Sequence, residues 1–66
     1  MMFEVKNFKC DGFPTDDDIR KICFTILSHN CIVRLEYCSN DAIYCVNIRP
    51  GTNFQECKDM LIKNYL

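Results

Sequence analysis

From its N-terminus the chain alternates apolar and polar residues, then spaces its apolar residues by threes and fours. It returns to alternation twice before a last helical stretch. Residues 2–8, MFEVKNF, set Phe3 and Val5 against Glu4 and Lys6, the period of two that a strand with one buried face requires. A turn is expected at CDGFP. Residues 16–28 then place Ile19, Ile22, Cys23, Ile26 and Leu27 on one helical stripe. Phe24 falls off that stripe, roughly 130° from its centre at 100° per residue. His29 and Asn30 end the helix, because asparagine tolerates the left-handed conformation that closes one.

Residues 31–38 and 42–49 read as a hairpin with Asn40-Asp41 at its tip, a suitable place for positive φ. Tyr37 then faces Tyr44, Leu35 faces Val46, and Val33 faces Ile48. The other face carries the pairs Arg34 with Asn47, Glu36 with Cys45, and Cys38 with Ile43. A slip of one residue would destroy this agreement. The segment RPGT ends the strand, and a second helix starts at Thr52 or Asn53, with Gln55 or Glu56 three residues on. Its stripe is Phe54, Cys57, Leu61 and Tyr65.

These elements predict one α+β domain over residues 1–66 in the order β-α-β-β-α. Two helices are expected on one face of a three-stranded antiparallel sheet with strand order 1-3-2, a ferredoxin-like unit lacking its last strand. The absent strand would have paired with residues 2–8. The backbone of Phe3, Glu4, Val5, Lys6 and Asn7 is therefore expected as an open edge for self-association.

Composition narrows the function classes. Sixty-six residues, 48% apolar and 26% charged, suit a single small globular core. A net charge of −1 opposes general nucleic-acid binding, which draws on many phosphate-contacting cations, and opposes a basic membrane-surface helix. No apolar run reaches the length of a membrane span. The opening MMFEVKNF lacks a basic segment followed by an apolar one, so the six cysteines are expected reduced and the chain cytoplasmic. Richness in Ile, Asn, Lys, Phe and Tyr, with one alanine, suits an AT-rich genome such as many viruses and mobile elements have.

Candidate chemistry is sparse. Thr15 with Asp18 three residues on is a helix-start signature, and Asp16, Asp17 and Asp18 fill a first turn where the helix dipole favours anions. The same triplet is also a candidate acidic docking site. Cys10, placed between the first strand and first helix, resembles the metal loop of heavy-metal-associated domains, whose motif is Met-x-Cys-x-x-Cys. FKCDGF keeps Cys10 but has Phe8 and Phe13 at the other two motif positions. The resemblance implies at most a lone soft-metal ligand or a reactive thiol. Cys23 and Cys57 fall on the helical stripes as small hydrophobes, Cys31 begins a strand on the core side, and Cys38 and Cys45 share the outer face of the hairpin. His29 is the only histidine, and spacing offers it no orienting acid.

The outward sheet set is expected to be Glu4, Lys6, Phe8, Ile32, Arg34, Glu36, Cys38, Ile43, Cys45, Asn47 and Arg49. It has mixed charge and no central aromatic, which opposes single-stranded RNA binding. The expectation is a non-enzymatic, cofactor-free protein-binding module, a small inhibitor or regulator encoded by a virus or mobile element. It would act in the cytoplasm (the host's, if viral) by masking a larger protein, in a form that includes a homodimer. Its candidate contacts are Phe24, Arg34, Ile43, Asp16, Asp17 and Asp18, beside the Phe3–Asn7 edge. The alternative is a metal- or redox-responsive protein using Cys10 with other surface cysteines.

Overall fold

The computed structural model describes residues 4–65, Tyr65 by its backbone alone. The elements are β1 (Val5–Asp11), α1 (Asp16–His29), β2 (Ile32–Ser39), β3 (Ala42–Ile48) and α2 (Phe54–Tyr65). Phe3 and the Tyr65 side chain lie outside the described residues.

Local signals set the helix ends. Thr15 Oγ1 accepts from Asp18 N at 3.3 Å, and the Asp18 carboxylate accepts from Thr15 N at 3.0 Å, a reciprocal cap. Asn30 closes α1 at φ 48°, ψ 51°. For α2, Asn53 rather than Thr52 is the cap. Asn53 Oδ1 accepts from Glu56 N at 2.8 Å, and Glu56 answers by accepting from Asn53 N at 3.4 Å. Thr52 instead donates to Arg49 O at 2.6 Å across the turn that Gly51 makes at φ 89°.

The hairpin has the anticipated register. Tyr37 pairs with Tyr44, Leu35 with Val46, Val33 with Ile48, and Arg34, Glu36 and Cys38 with Asn47, Cys45 and Ile43. Asn40 and Asp41 both take positive φ, 51° and 64°, the left-handed pair a two-residue hairpin loop needs.

The sheet order differs from expectation. It is β1-β2-β3, with β1 parallel to β2 and β3 antiparallel to β2, so the sheet is mixed and β2 is central. This is not the 1-3-2 antiparallel sheet of a ferredoxin-like unit. Both orders permit the same hairpin, and burial distinguishes them. Cys31, Val33, Leu35 and Tyr37 are all fully buried, whereas β3 buries only Val46 and Ile48. The most apolar strand takes the centre. Lengths also suit a direct return: fourteen residues of α1 span roughly 21 Å at ~1.5 Å each, and seven of β1 roughly 23 Å.

The first strand also differs in span and face. It runs three residues further than expected, so Cys10 is in the strand and not in a loop. Its inward residues are Lys6, Phe8 and Cys10, opposite Val33, Leu35 and Tyr37. Phe3 and Val5 share one parity, Phe8 and Cys10 the other, and a strand can bury only one of them. Pairing along β2 selects the second, leaving Val5 exposed and correcting the outward placement of Lys6 and Phe8. Lys6 stays half-buried by pairing with Glu4 at 2.9 Å.

Both helices lie on one sheet face. Ile19, Ile22, Cys23 and Ile26 of α1 and Cys57 and Leu61 of α2 close over the inward residues of β2 and β3. Leu27 does not join them and is 70% exposed. Tyr37 anchors one end of the core, stacked on Tyr44 at 5.2 Å and meeting Phe13 edge-on at 5.9 Å.

Burial separates the core strand from the open face in stability. Leu35→Ala should cost about 2–5 kcal/mol, enough to unfold a chain of this size at room temperature, while Ile43→Ala stays within about 0.5 kcal/mol of wild type in urea titration. Hydrogen bonds from the Thr15 backbone and hydroxyl hold the Asp18 carboxyl below its usual 3.8. A depressed folded value adds stability above the unfolded value and loses it as pH falls through the folded one. Asp18→Asn should therefore weaken the fold at neutral pH, and its difference from wild type should close below about pH 4.

Candidate functional site

Among the described residues both helices lie on one side, and the other face of the sheet is uncovered. Strand pairing arranges it in rows: Val5 beside Ile32; Asn7, Arg34 and Asn47; Lys9, Glu36 and Cys45; Asp11, Cys38 and Ile43. Val5 and Ile32 occupy one end, Cys38 and Ile43 beside Asp11 the other, and mainly charged and amide groups the middle. A shallow groove of about 240 Å³ lies over the middle rows, lined by Asn7, Phe8, Lys9, Arg34 and Glu36. Among the described residues neither Lys9 nor Arg34 forms an ion pair, and Arg34 reaches only the Cys45 sulfur at 3.8 Å.

Both outer strands are sheet edges. Glu4 O accepts from Ile32 N at 2.9 Å, so strand alternation turns the backbone groups of Val5, Asn7 and Lys9 to the open side. Of the expected edge residues, Glu4 and Lys6 point their backbone toward β2, Val5 and Asn7 away from it.

A second exposed surface lies on the helix layer. Phe24 and Leu27 are each 70% exposed, one turn apart on the outer side of α1. The expected contacts thus fall into two groups: Arg34 and Ile43 on the open sheet face, Phe24 on the layer that covers the other face. Leu27 departs from its expected place on the buried stripe. It sits about 90° from the centre of the stripe formed by Ile19, Ile22, Cys23 and Ile26, at 100° per residue. Lys9 of the groove escapes a sequence reading that ends the first strand early, and Asn7, expected only as part of the open edge, also lines the groove.

The aspartates have partners within the chain. Asp16 meets Lys58 of α2 at 3.5 Å, Asp17 meets Arg20 at 3.5 Å, and Asp18 caps the helix. The cations of those pairs lie over the Phe54 ring, at 5.8 Å for Arg20 and 6.0 Å for Lys58. The Asp16–Lys58 pair links the start of α1 to α2.

The six thiols are all unbridged. Cys38 and Cys45 are exposed, while Cys10 turns inward against the core. Burial, then the nearby Asp18 and Asp11, pushes the Cys10 thiol up, away from the thiolate that a soft metal ion needs. Cys31 donates to Thr25 O at 3.8 Å. Cys23 and Cys57 meet between the helices with their sulfurs 3.1 Å apart. Burial, and then the hydrogen bond and charge interaction with the neighbouring Cys23 sulfur, push the Cys57 thiol up to about 12. His29 is exposed at the end of α1, away from the groove. Among the described residues no three His, Cys, Asp or Glu side chains gather as a metal site would require, and no helix is long and apolar enough to cross a membrane.

Protein-family models, curated proteins and solved structures give no match to this chain.

Burial predicts an order of thiol reactivity. A bulky aromatic disulfide reagent should modify Cys38 and Cys45 within the first fast phase and Cys10 more slowly. Cys23, Cys31 and Cys57 should react only once denaturant is added, as peptide mapping of timed samples would show.

Proposed function

We propose that this chain is a non-enzymatic protein-binding module that masks a surface of a larger protein, with the outer face of α1 as its principal contact. The observation that carries this reading is the exposure of Phe24 and Leu27, 70% each and adjacent on one helix. Two large apolar side chains kept in water by a chain with so small a core favour an interface over a packing accident. The flanking Arg20 and Lys21, also exposed, supply a polar rim.

Chemistry has weaker support. The groove on the sheet holds cations, an amide and a carboxylate but neither the histidine nor a thiol, and the thiol nearest the expected metal loop is turned inward. A regulatory role as a small inhibitor of viral or mobile-element origin fits the size and the compositional bias. The open β1 edge favours a second arrangement, in which two copies pair edge to edge through Val5, Asn7 and Lys9.

The test uses three variants whose folding is first verified by circular dichroism. Phe24→Asp with Leu27→Asp should abolish capture of the partner protein from native lysate, and Ile43→Asp should leave it intact. Asn7→Pro removes an outward N–H, so it should leave capture unchanged and lower the sedimentation coefficient only if copies pair along β1. Undiminished capture by the α1 double variant would reject the assignment.

A further inference from the structure

We propose that Cys23 and Cys57 are a disulfide-forming pair, converted by peroxide into a covalent bridge between α1 and α2. This inference is independent of the binding reading. The two sulfurs are 3.1 Å apart, within about 1 Å of the bonded distance, although their residues are 34 apart in sequence. They lie on the buried stripes of the two helices, and a bond requires the two sulfurs to approach by about 1 Å.

The surroundings assign each sulfur a role. Cys23 is 7% exposed and Cys57 is fully buried, which makes Cys23 the more accessible residue of the two and the one assigned the first step. In the first step the Cys23 sulfur attacks one peroxide oxygen and the O–O bond breaks. Cys23 becomes a sulfenic acid, and the other oxygen leaves as water with the thiol proton. In the second step the Cys57 sulfur attacks the Cys23 sulfur. The S–O bond breaks, the sulfur–sulfur bond forms, and the hydroxyl leaves as a second water with the Cys57 proton. Two thiols and one hydrogen peroxide thus give one disulfide and two waters. The cysteines on the sheet face are poorly placed to compete, because Cys38 and Cys45 occupy diagonal positions in the β2–β3 ladder, at the limit of bridging.

The experiment uses the full chain carrying Cys38→Ser and Cys45→Ser, which changes only exposed positions and keeps four thiols. Folded protein is treated with hydrogen peroxide, alkylated in denaturant and mapped without reduction. The expected result is a Cys23–Cys57 bridge with Cys10 and Cys31 alkylated, and a thermal midpoint raised by roughly 10 °C that falls back on reduction. In a Cys57→Ser variant, Cys23 should instead accumulate a sulfenic acid trapped by a dimedone probe. Four thiols still free after treatment, a bridge to Cys10 or Cys31, or over-oxidation of Cys23 without a bridge would each overturn the proposal. Peptide mapping of the four-thiol protein decides the question even if loss of Cys57 prevents folding.

Discussion

The rest of the fold is arranged around burial of one face of β2. Cys31, Val33, Leu35 and Tyr37 lose all contact with water, and that is achieved only by strands on both sides and helices above. Each neighbour is positioned to serve this strand. The hairpin sets Val46 and Ile48 beside Leu35 and Val33; β1 sets Phe8 and Cys10 beside Leu35 and Tyr37; α1 and α2 lay Ile19, Ile22, Ile26 and Leu61 across the top. Fully burying a side chain of this kind contributes about 1.5–3 kcal/mol, against a net stability of similar order for so short a chain.

That constraint explains why some features can be read from sequence and others cannot. Both caps of α1, the hairpin tip and all six anticipated hairpin pairs depend on residues close together in the chain. Thr15 with Asp18, Asn30, and Asn40-Asp41 each state their conformation locally. Strand order depends on a competition between distant segments. The hairpin is the same whether β1 docks on β2 or β3, and only the summed burial of β2 decides it. The parity of β1 is ambiguous for a related reason: FEVKNFKC contains apolar pairs on both faces, and contact with β2 selects between them. Leu27 is misleading in sequence because it falls about 90° from the centre of the buried stripe, at a margin where spacing alone does not decide burial.

The candidate surfaces inherit the same split. Phe24 is legible as an outlier of its helix, and Ile43 as the outer partner of Cys38, because both follow from local period and register. The groove over Asn7, Lys9 and Arg34 is not, since it joins two strands whose adjacency no local pattern announces. The aspartate triplet shows the value of a plain structural explanation. Asp18 caps α1, Asp16 meets Lys58 of α2 and Asp17 pairs with Arg20 within α1, so each of the three carboxylates has a partner inside the chain.

The two-layer architecture also separates covalent change from recognition. The Cys23–Cys57 contact is between the layer's two helices, on their buried stripes, whereas Phe24 and Leu27 project from the outer side of α1. A bond between those sulfurs would restrain how α1 sits on α2 without touching a residue of either exposed surface. Its effect on a partner would come through rigidity of the helix that presents Phe24 and Leu27, since a helix held in one position loses less freedom on docking. On the two proposed readings the apolar patch supplies the contact, and the thiol pair lies on the buried side of the same helix.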